Sequence, residues 1–295
     1  MTARIGRLAV IGVGLIGGSL ALALRRAGAV GEVVGCGRRA ATLERAEALG
    51  IIDRAVAIPE AAATADMVVV CVPLGAVRGV FEAMAGVVGA ETVVTDAGSA
   101  KSSVIADAEA VFGEVPPWLI PGHPIAGTEK SGPEAAFPDL YQGRRVILTP
   151  AAAADPRAVE RVRAMWEAAG AGVVTMDAAH HDEVLAATSH LPHVLAYGLV
   201  DALSRWDDRR EIFEFAAGGF RDFTRIASSD PTMWRDICIA NRGPLSAALR
   251  RYLGELEWLA DRLEAGDAEA LQTVFDRARA ERERFLALLE GRSAP

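Results

Sequence analysis

Glycine, histidine, serine and arginine gather in five short stretches of this 295-residue chain. Gly12-Val-Gly14-Leu15-Ile16-Gly17 has the spacing of a turn that brings backbone amides up to a pyrophosphate. Its first glycine makes the bend, the second lets the ligand approach, and the third lets a helix pack closely on a strand. The helix that follows begins with N–H groups that lack intrahelical acceptors and suit an anion. Gly12, Gly14, Leu15, Ile16 and Gly17 are therefore the expected contacts of a dinucleotide. After the second predicted strand comes Cys36-Gly37-Arg38-Arg39, where a domain specific for NAD carries Asp or Glu for the ribose 2′-hydroxyl. Two guanidinium groups and no carboxylate favour NADP, with NAD as the alternative.

The other four stretches are Thr95-Asp-Ala-Gly-Ser-Ala-Lys101, Gly122-His-Pro-Ile-Ala-Gly-Thr-Glu-Lys-Ser-Gly132, Ser189-His-Leu-Pro-His193 and Gly218-Gly-Phe-Arg-Asp-Phe-Thr-Arg-Ile-Ala227. A histidine titrates near neutral pH and suits proton transfer, and a guanidinium matches a carboxylate bidentately. Lysine occurs twice against 29 arginines, and both lysines, Lys101 and Lys130, lie in these stretches. A compact ammonium is not interchangeable with a guanidinium in a tight pocket. His180, His181, His190 and His193 invite a metal reading, but no HExxH pattern or nearby cysteine completes a ligand set, so no metal is expected.

The elements that must position these residues follow from periodicity. Strands are predicted at Leu8 to Ile11, Glu32 to Cys36, Met67 to Val72, Thr92 to Thr95, Leu119 to Pro121 and Val146 to Thr149, with helices such as Ser19 to Ala27, Ala40 to Leu49 and Ser102 to Phe112 between them. That alternation signifies an α/β fold, a doubly wound Rossmann-type parallel sheet, over residues 1–172. Beyond it, residues 173–295 read as an all-helical domain for substrate binding and dimerisation. Its segment Leu245 to Leu263 carries more apolar residues than one face of a small domain needs, which predicts a homodimer. The uncharged run from Leu8 to Leu24 after Arg4 and Arg7 imitates a signal peptide or short membrane span, but its four glycines suit strand, turn and helix better. With 51% apolar residues the chain can bury a real core, and a net charge of −8 offers no footprint for nucleic acid. A small-molecule substrate and no membrane partner are expected. Cys36, Cys71 and Cys238 are odd in number and lack CxxC spacing, which points to free thiols in the cytoplasm.

In order and spacing the five stretches closely resemble the prephenate/arogenate dehydrogenase (TyrA) family of tyrosine biosynthesis, over almost the whole chain. The stretches Gly122–Gly132 and Gly218–Ala227 carry most of that likeness. The resemblance implies oxidative decarboxylation of prephenate or arogenate: hydride leaves the ring carbon bearing the 4-hydroxyl for a nicotinamide, a base takes the hydroxyl proton, and aromatisation drives loss of CO2. It further implies that His123 takes up the proton and that Ser99 hydrogen-bonds the same region. Arg225 would hold a substrate carboxylate, the alternative being a surface salt bridge. His193 and Trp234 would be either pocket or core residues, and Glu129 offers a charge for the ammonium of arogenate. The rate should then rise with pH through a group near the histidine reference of about 6.5. Rival readings are a β-hydroxyacid dehydrogenase, which depends on a lysine in its helical domain, and a non-catalytic dinucleotide sensor, which has no use for His123, Ser99 and Arg225.

Overall fold

The computed structural model describes residues 4–207 and 209–293. Six parallel strands, β1 (Ile5–Ile11), β2 (Val30–Cys36), β3 (Arg54–Ala55), β4 (Met67–Val70), β5 (Val93–Asp96) and β6 (Leu119–Ile120), form one sheet in the order β3-β2-β1-β4-β5-β6. The central strand β4 is a run of apolar residues buried on both faces, as helices on either side of a parallel sheet require. The strands run outward from β1 on one side and from β4 on the other, so the strand order reverses between them and a crevice opens beyond their carboxyl ends, where ligands of such sheets bind.

The apolar run after Arg7 resolves into the end of β1, the glycine turn, and the helix Leu15–Arg26. This helix starts four residues earlier than its apolar periodicity suggests, because Gly14 takes the N-cap position with extended backbone. Arg25 and Arg26 lie in its last turn, favourable to the helix dipole. No helix among the described residues is long and apolar enough to cross a membrane.

One expectation fails here. Val146 to Thr149 does not join the parallel sheet. Residues Arg145–Leu148 form β8 of a second, three-stranded sheet, between β7 (Gly122–Pro124) and β9 (Gly172–Thr175). β7 runs antiparallel to β8, pairing His123 with Ile147, and β8 runs parallel to β9. The parallel sheet ends at Ile120, and Pro121, which has no N–H to give a ladder, stands at the switch between the two sheets. Strands as short as three residues carry too little alternation to reveal a change of sheet.

From Ala178 onward every regular element among the described residues is helical. By compactness the chain divides into Met1–Arg242 and Gly243–Pro295, beyond the strand-to-helix change near residue 172. The helices Ala178–Leu185 and Pro231–Ala240 belong to the first unit: Asp182 on one accepts from the amides of Lys101 and Ser102, and Trp234 and Ile237 on the other pack into the apolar core that includes Leu74 and Val77. The second unit comprises the helix Arg242–Glu264 from Gly243 onward and the helix Ala268–Ser293; Tyr252, Leu253, Leu256 and Trp258 are exposed in it.

Gly12 sits at φ 97°, and a β-carbon there would lie 2.5 Å from the Cys71 carbonyl oxygen. Gly12→Ala should therefore lower stability by about 1–3 kcal/mol or more, read as a reduced urea midpoint. Gly14→Ala, whose methyl group meets nothing within 4 Å, should cost less than about 1 kcal/mol in the same titration.

Candidate active site

The glycine turn is built as its spacing implies. Gly12 N–H donates to the Cys36 carbonyl at 2.8 Å, closing β1 onto β2, and a β-carbon on Gly17 would strike Val10 at 2.5 Å, so that helix and strand meet closely. Gly14 faces open space, and the helix it caps has neither a side-chain cap nor an acidic residue in its first turn. An anionic ligand thus finds bare amides and no competing carboxylate. Arg38 and Arg39 are exposed just past the carboxyl end of β2, with Arg39 as the N-cap of the helix Ala40–Ala48. The segment between β7 and β8 folds over this turn. Phe137 N–H donates to Ser19 Oγ at 3.0 Å, and the Tyr141 hydroxyl donates to the Ile16 carbonyl at 2.6 Å. A cavity of about 440 Å³ lies along the same segment, lined by Thr128, Glu129, Lys130 and residues 134–137.

Beyond β5 the chain buries charge. Lys101 is fully buried; its Nζ donates to Asp96 and, at 2.7 Å, to the Gly122 carbonyl. The Asp96 carboxylate also accepts from the N–H of Gly98 (2.7 Å) and of Gly122 (3.1 Å). Every polar edge of Gly122 is thereby held, and β7 leaves that anchor carrying His123 as its second residue. Burial favours the neutral amine of Lys101 and lowers its pKa, against the opposing pull of Asp96.

His123 is 8% exposed. Its Nδ1 lies 2.9 Å from Nε2 of His181, and His181 Nδ1 lies 2.8 Å from Oδ1 of Asp182. Nε2 of His123 is therefore the ring nitrogen left for chemistry. Asp182 also accepts from the N–H of Lys101 at 2.7 Å and of Ser102 at 2.9 Å, filling the amides at the start of the helix Lys101–Phe112. Burial opposes ionisation of Asp182, but these bonds outweigh it and bring its pKa down to about 2. Asp177 caps the helix Ala178–Leu185, accepting from the N–H of Ala179 and His180, and so sets the phase that turns His181 and Asp182 inward. Burial, then the neighbouring His181, Lys101 and His190, hold His123 well below the ordinary histidine pKa, with Asp182 opposing them. An acid limb near the reference value of about 6.5 is thus corrected downward.

A π-helical turn, Ala186–His190, joins Ala178–Leu185 to the helix Leu191–Ser204. At about 100° per residue, positions nine apart such as 181 and 190 fall on opposite faces of an α-helix, and the wider turn rotates the second back toward the first. His190 is buried, with its Nδ1 2.9 Å from Asn241 Nδ2, which also donates to the Asp182 carbonyl at 2.8 Å. Burial brings the His190 pKa to about 4. His193 stacks on Trp234 with centroids 3.6 Å apart. Its Nδ1 faces the Ser189 carbonyl at 2.9 Å.

The structure brings His123 and Ser99 to one end of the sheet: Ser99 is half-buried in the loop from β5 to Lys101, its backbone beside the His190 ring. His193 and Trp234 form one stacked pair, half-buried and buried respectively. The Arg225 side chain is 64% exposed and lies 3.6 Å from Glu129. Lys130 is exposed, whereas Lys101 is structural. Among the described residues no group of three or more His, Cys, Asp or Glu is placed to hold a metal ion. Cys36, Cys71 and Cys238 are free thiols. His181, Asp182 and Asn241 were not legible as site residues, although the adjacent pair His181-Asp182 behind an Asp N-cap carried a signal.

Residues 20–175 match the family model described as prephenate dehydrogenase, nucleotide-binding domain, and residues 177–277 match that described as prephenate dehydrogenase, dimerization domain. Among curated proteins, the cyclohexadienyl dehydrogenase of Zymomonas mobilis is 38% identical over 91% of this chain and 92% of its own length. The prephenate dehydrogenase of Bacillus subtilis is 34% identical over 91% and 73%. Among solved structures, the prephenate dehydrogenase of Aquifex aeolicus, in complex with hydroxyphenyl propionate and NAD+, superposes with a TM-score of 0.90 at 34% identity, covering 97% of this chain and 100% of that one. With a Rossmann-type sheet, a helical region after it and these matches along nearly its whole length, the chain belongs to the prephenate dehydrogenase family.

Proposed function

We propose that this protein oxidatively decarboxylates prephenate, arogenate or both, with His123 as the proton acceptor. The observation that carries the reading is the His123 ring, anchored on β7 with Nδ1 engaged by His181 and Nε2 left over. When bound, a nicotinamide dinucleotide supplies the hydride acceptor; Gly12, Gly14, Leu15, Ile16 and Gly17 would hold its pyrophosphate. His123 Nε2 takes the proton of the 4-hydroxyl, whose oxygen keeps the bonding electron pair and becomes a carbonyl as hydride leaves the carbon beneath it. Ser99, in the loop beside, hydrogen-bonds the same end of the substrate. Arg225 holds a substrate carboxylate, exchanging its loose contact with Glu129 for a bidentate one. The His193–Trp234 stack gives the pocket a flat apolar wall. Lys101 cannot serve as the base of a β-hydroxyacid dehydrogenase, because its ammonium is committed to Asp96 and Gly122.

The same proposal covers the finer points. Residues 1–172 hold the dinucleotide, and residues 173–295 supply substrate contacts and a homodimer interface that includes the exposed Leu253, Leu256 and Trp258. Arg38 and Arg39, exposed at the carboxyl end of β2, favour NADP. Three free thiols accord with a cytoplasmic setting.

Absorbance of the reduced nicotinamide, followed on adding prephenate or arogenate with each dinucleotide, tests the activity directly, and silence with both substrates would overturn it. Arg38→Ala with Arg39→Ala should weaken NADP by about 1.5–3 kcal/mol per lost charge-assisted contact while sparing NAD. Equal losses, or a wild type that prefers NAD, would remove the NADP assignment. His123→Asn should lower kcat by about 10²- to 10⁴-fold with little change in KM, because the contact strengthens only toward the transition state. In the wild type kcat/KM requires neutral His123, so it should rise with pH to a plateau through a midpoint below about 6.5, and that limb should be missing in the variant.

A further inference from the structure

A proton taken up at His123 places a positive charge in a buried site that already holds Lys101. Resting on the reading of His123 as proton acceptor, we propose that His181 and Asp182 form a relay behind it, in which Asp182 fixes the tautomer of His181, His181 fixes that of His123, and the proton taken up is passed inward to His181.

Ionised Asp182 can only accept, so the His181 nitrogen 2.8 Å from it must donate. Neutral His181 then has its proton on Nδ1 and a lone pair on Nε2. That lone pair lies 2.9 Å from His123 Nδ1, which must therefore be the protonated nitrogen of its ring. The remaining nitrogen of His123, Nε2, carries the bare lone pair that a base needs. When Nε2 gains the substrate proton, the Nδ1–H bond of His123 breaks as an N–H bond forms on His181 Nε2. His123 ends neutral with its proton on Nε2, and the imidazolium resides on His181 against the Asp182 carboxylate; when the C–C bond to CO2 breaks, its electron pair enters the ring, the 4-oxygen becomes a phenolate, and the proton returns to it by the same path, which resets both rings.

The charged and titratable groups around His123 show why the charge should travel that way. Lys101 and His190 face it with like or potential positive charge, Asp96 is already neutralised by Lys101, and Asp182 is the anion on the far side of His181. A purely structural role would need less. Asp182 could cap the helix Lys101–Phe112 without His181, and an apolar side chain could fill the space of a ring that is fully buried. Instead both ring nitrogens of His181 are engaged, one by the capping carboxylate and one by His123.

Three variants of the full-length protein test this. In His181→Gln the amide oxygen can accept from His123 and the amide nitrogen can donate to Asp182, so the tautomer is kept but no proton can pass. The expected result is a tenfold to hundredfold loss of kcat with KM for substrate and dinucleotide within about threefold. His181→Leu loses the tautomer as well and should fall further. Asp182→Asn removes the anion and should move the acid limb of kcat/KM to lower pH. Nitrogen-15 spectra of labelled histidine, assigned by difference with His123→Asn, should show neutral His123 protonated at Nδ1 in wild type and His181→Gln, and a mixture in His181→Leu. If His181→Leu or Asp182→Asn does not fold, His181→Gln and the wild-type spectrum still decide. A His181→Gln kcat within twofold of wild type, or wild-type His123 protonated at Nε2, overturns the relay. Wild type inactive on both prephenate and arogenate would instead overturn the functional reading on which the relay rests, so the two failures are distinguishable.

Discussion

Two carboxylates placed out of reach of water, Asp96 and Asp182, hold the site together, and the geometry around them follows from how each charge is compensated. Removing an ion from water costs several kcal/mol, which only close, well-aligned partners offset. Asp96 collects Lys101 and the amides of Gly98 and Gly122; Asp182 collects the amides of Lys101 and Ser102 and the ring of His181. Lys101 belongs to both sets, through its side chain in one and its backbone in the other. The loop after β5, the start of β7 and the helix Ala178–Leu185 are thus fixed relative to one another through a single residue. Loss of any member would leave a buried charge or amide exposed to an apolar medium, which gives the arrangement its rigidity.

The same constraint accounts for the lysine that survives in an arginine-rich chain. Lys101 Nζ donates to a carboxylate oxygen and to a backbone carbonyl from a fully buried position. A guanidinium is planar and carries five donors, so at least some would go unpaired in that space. Lys130, exposed on the segment between β7 and β8, faces no such demand.

What the sequence made legible was whatever acts through local spacing. The glycine turn works through backbone conformation over six residues, so Gly12, Gly14 and Gly17 announce themselves, and the strong apolar run of β4 announces a strand covered on both faces. His123 stood out by its neighbours. The partners of His123 did not, because His181 lies 58 positions away and meets it only when β7 leaves the parallel sheet and pairs with β8. A two-residue strand followed by a three-residue one gives periodicity nothing to work on. For the same reason the sequence does not separate the adjacent histidines His180 and His181. In the fold one is exposed and the other is buried between a histidine and an aspartate. Arg225 stands exposed beside Glu129, in the surface salt bridge that its sequence also allowed.

A base in this position faces opposing demands. Burial favours the neutral, receptive form of His123, but a histidine whose charged form is disfavoured is also a reluctant proton acceptor. Exposing the ring would restore its basicity and admit water to the site. Lowering the cost of the charged form only where the charge finally rests avoids that choice. Asp182 lies one histidine away: far enough that resting His123 keeps the low pKa of a buried imidazole, and close enough that an imidazolium on His181 sits in contact with an anion held ionised by its own backbone donors. In a low-dielectric interior such a contact is worth more than it is in water, and its dipoles are in place before the reaction begins. The burial that weakens His123 as an isolated base is thus also what makes the anion behind His181 effective.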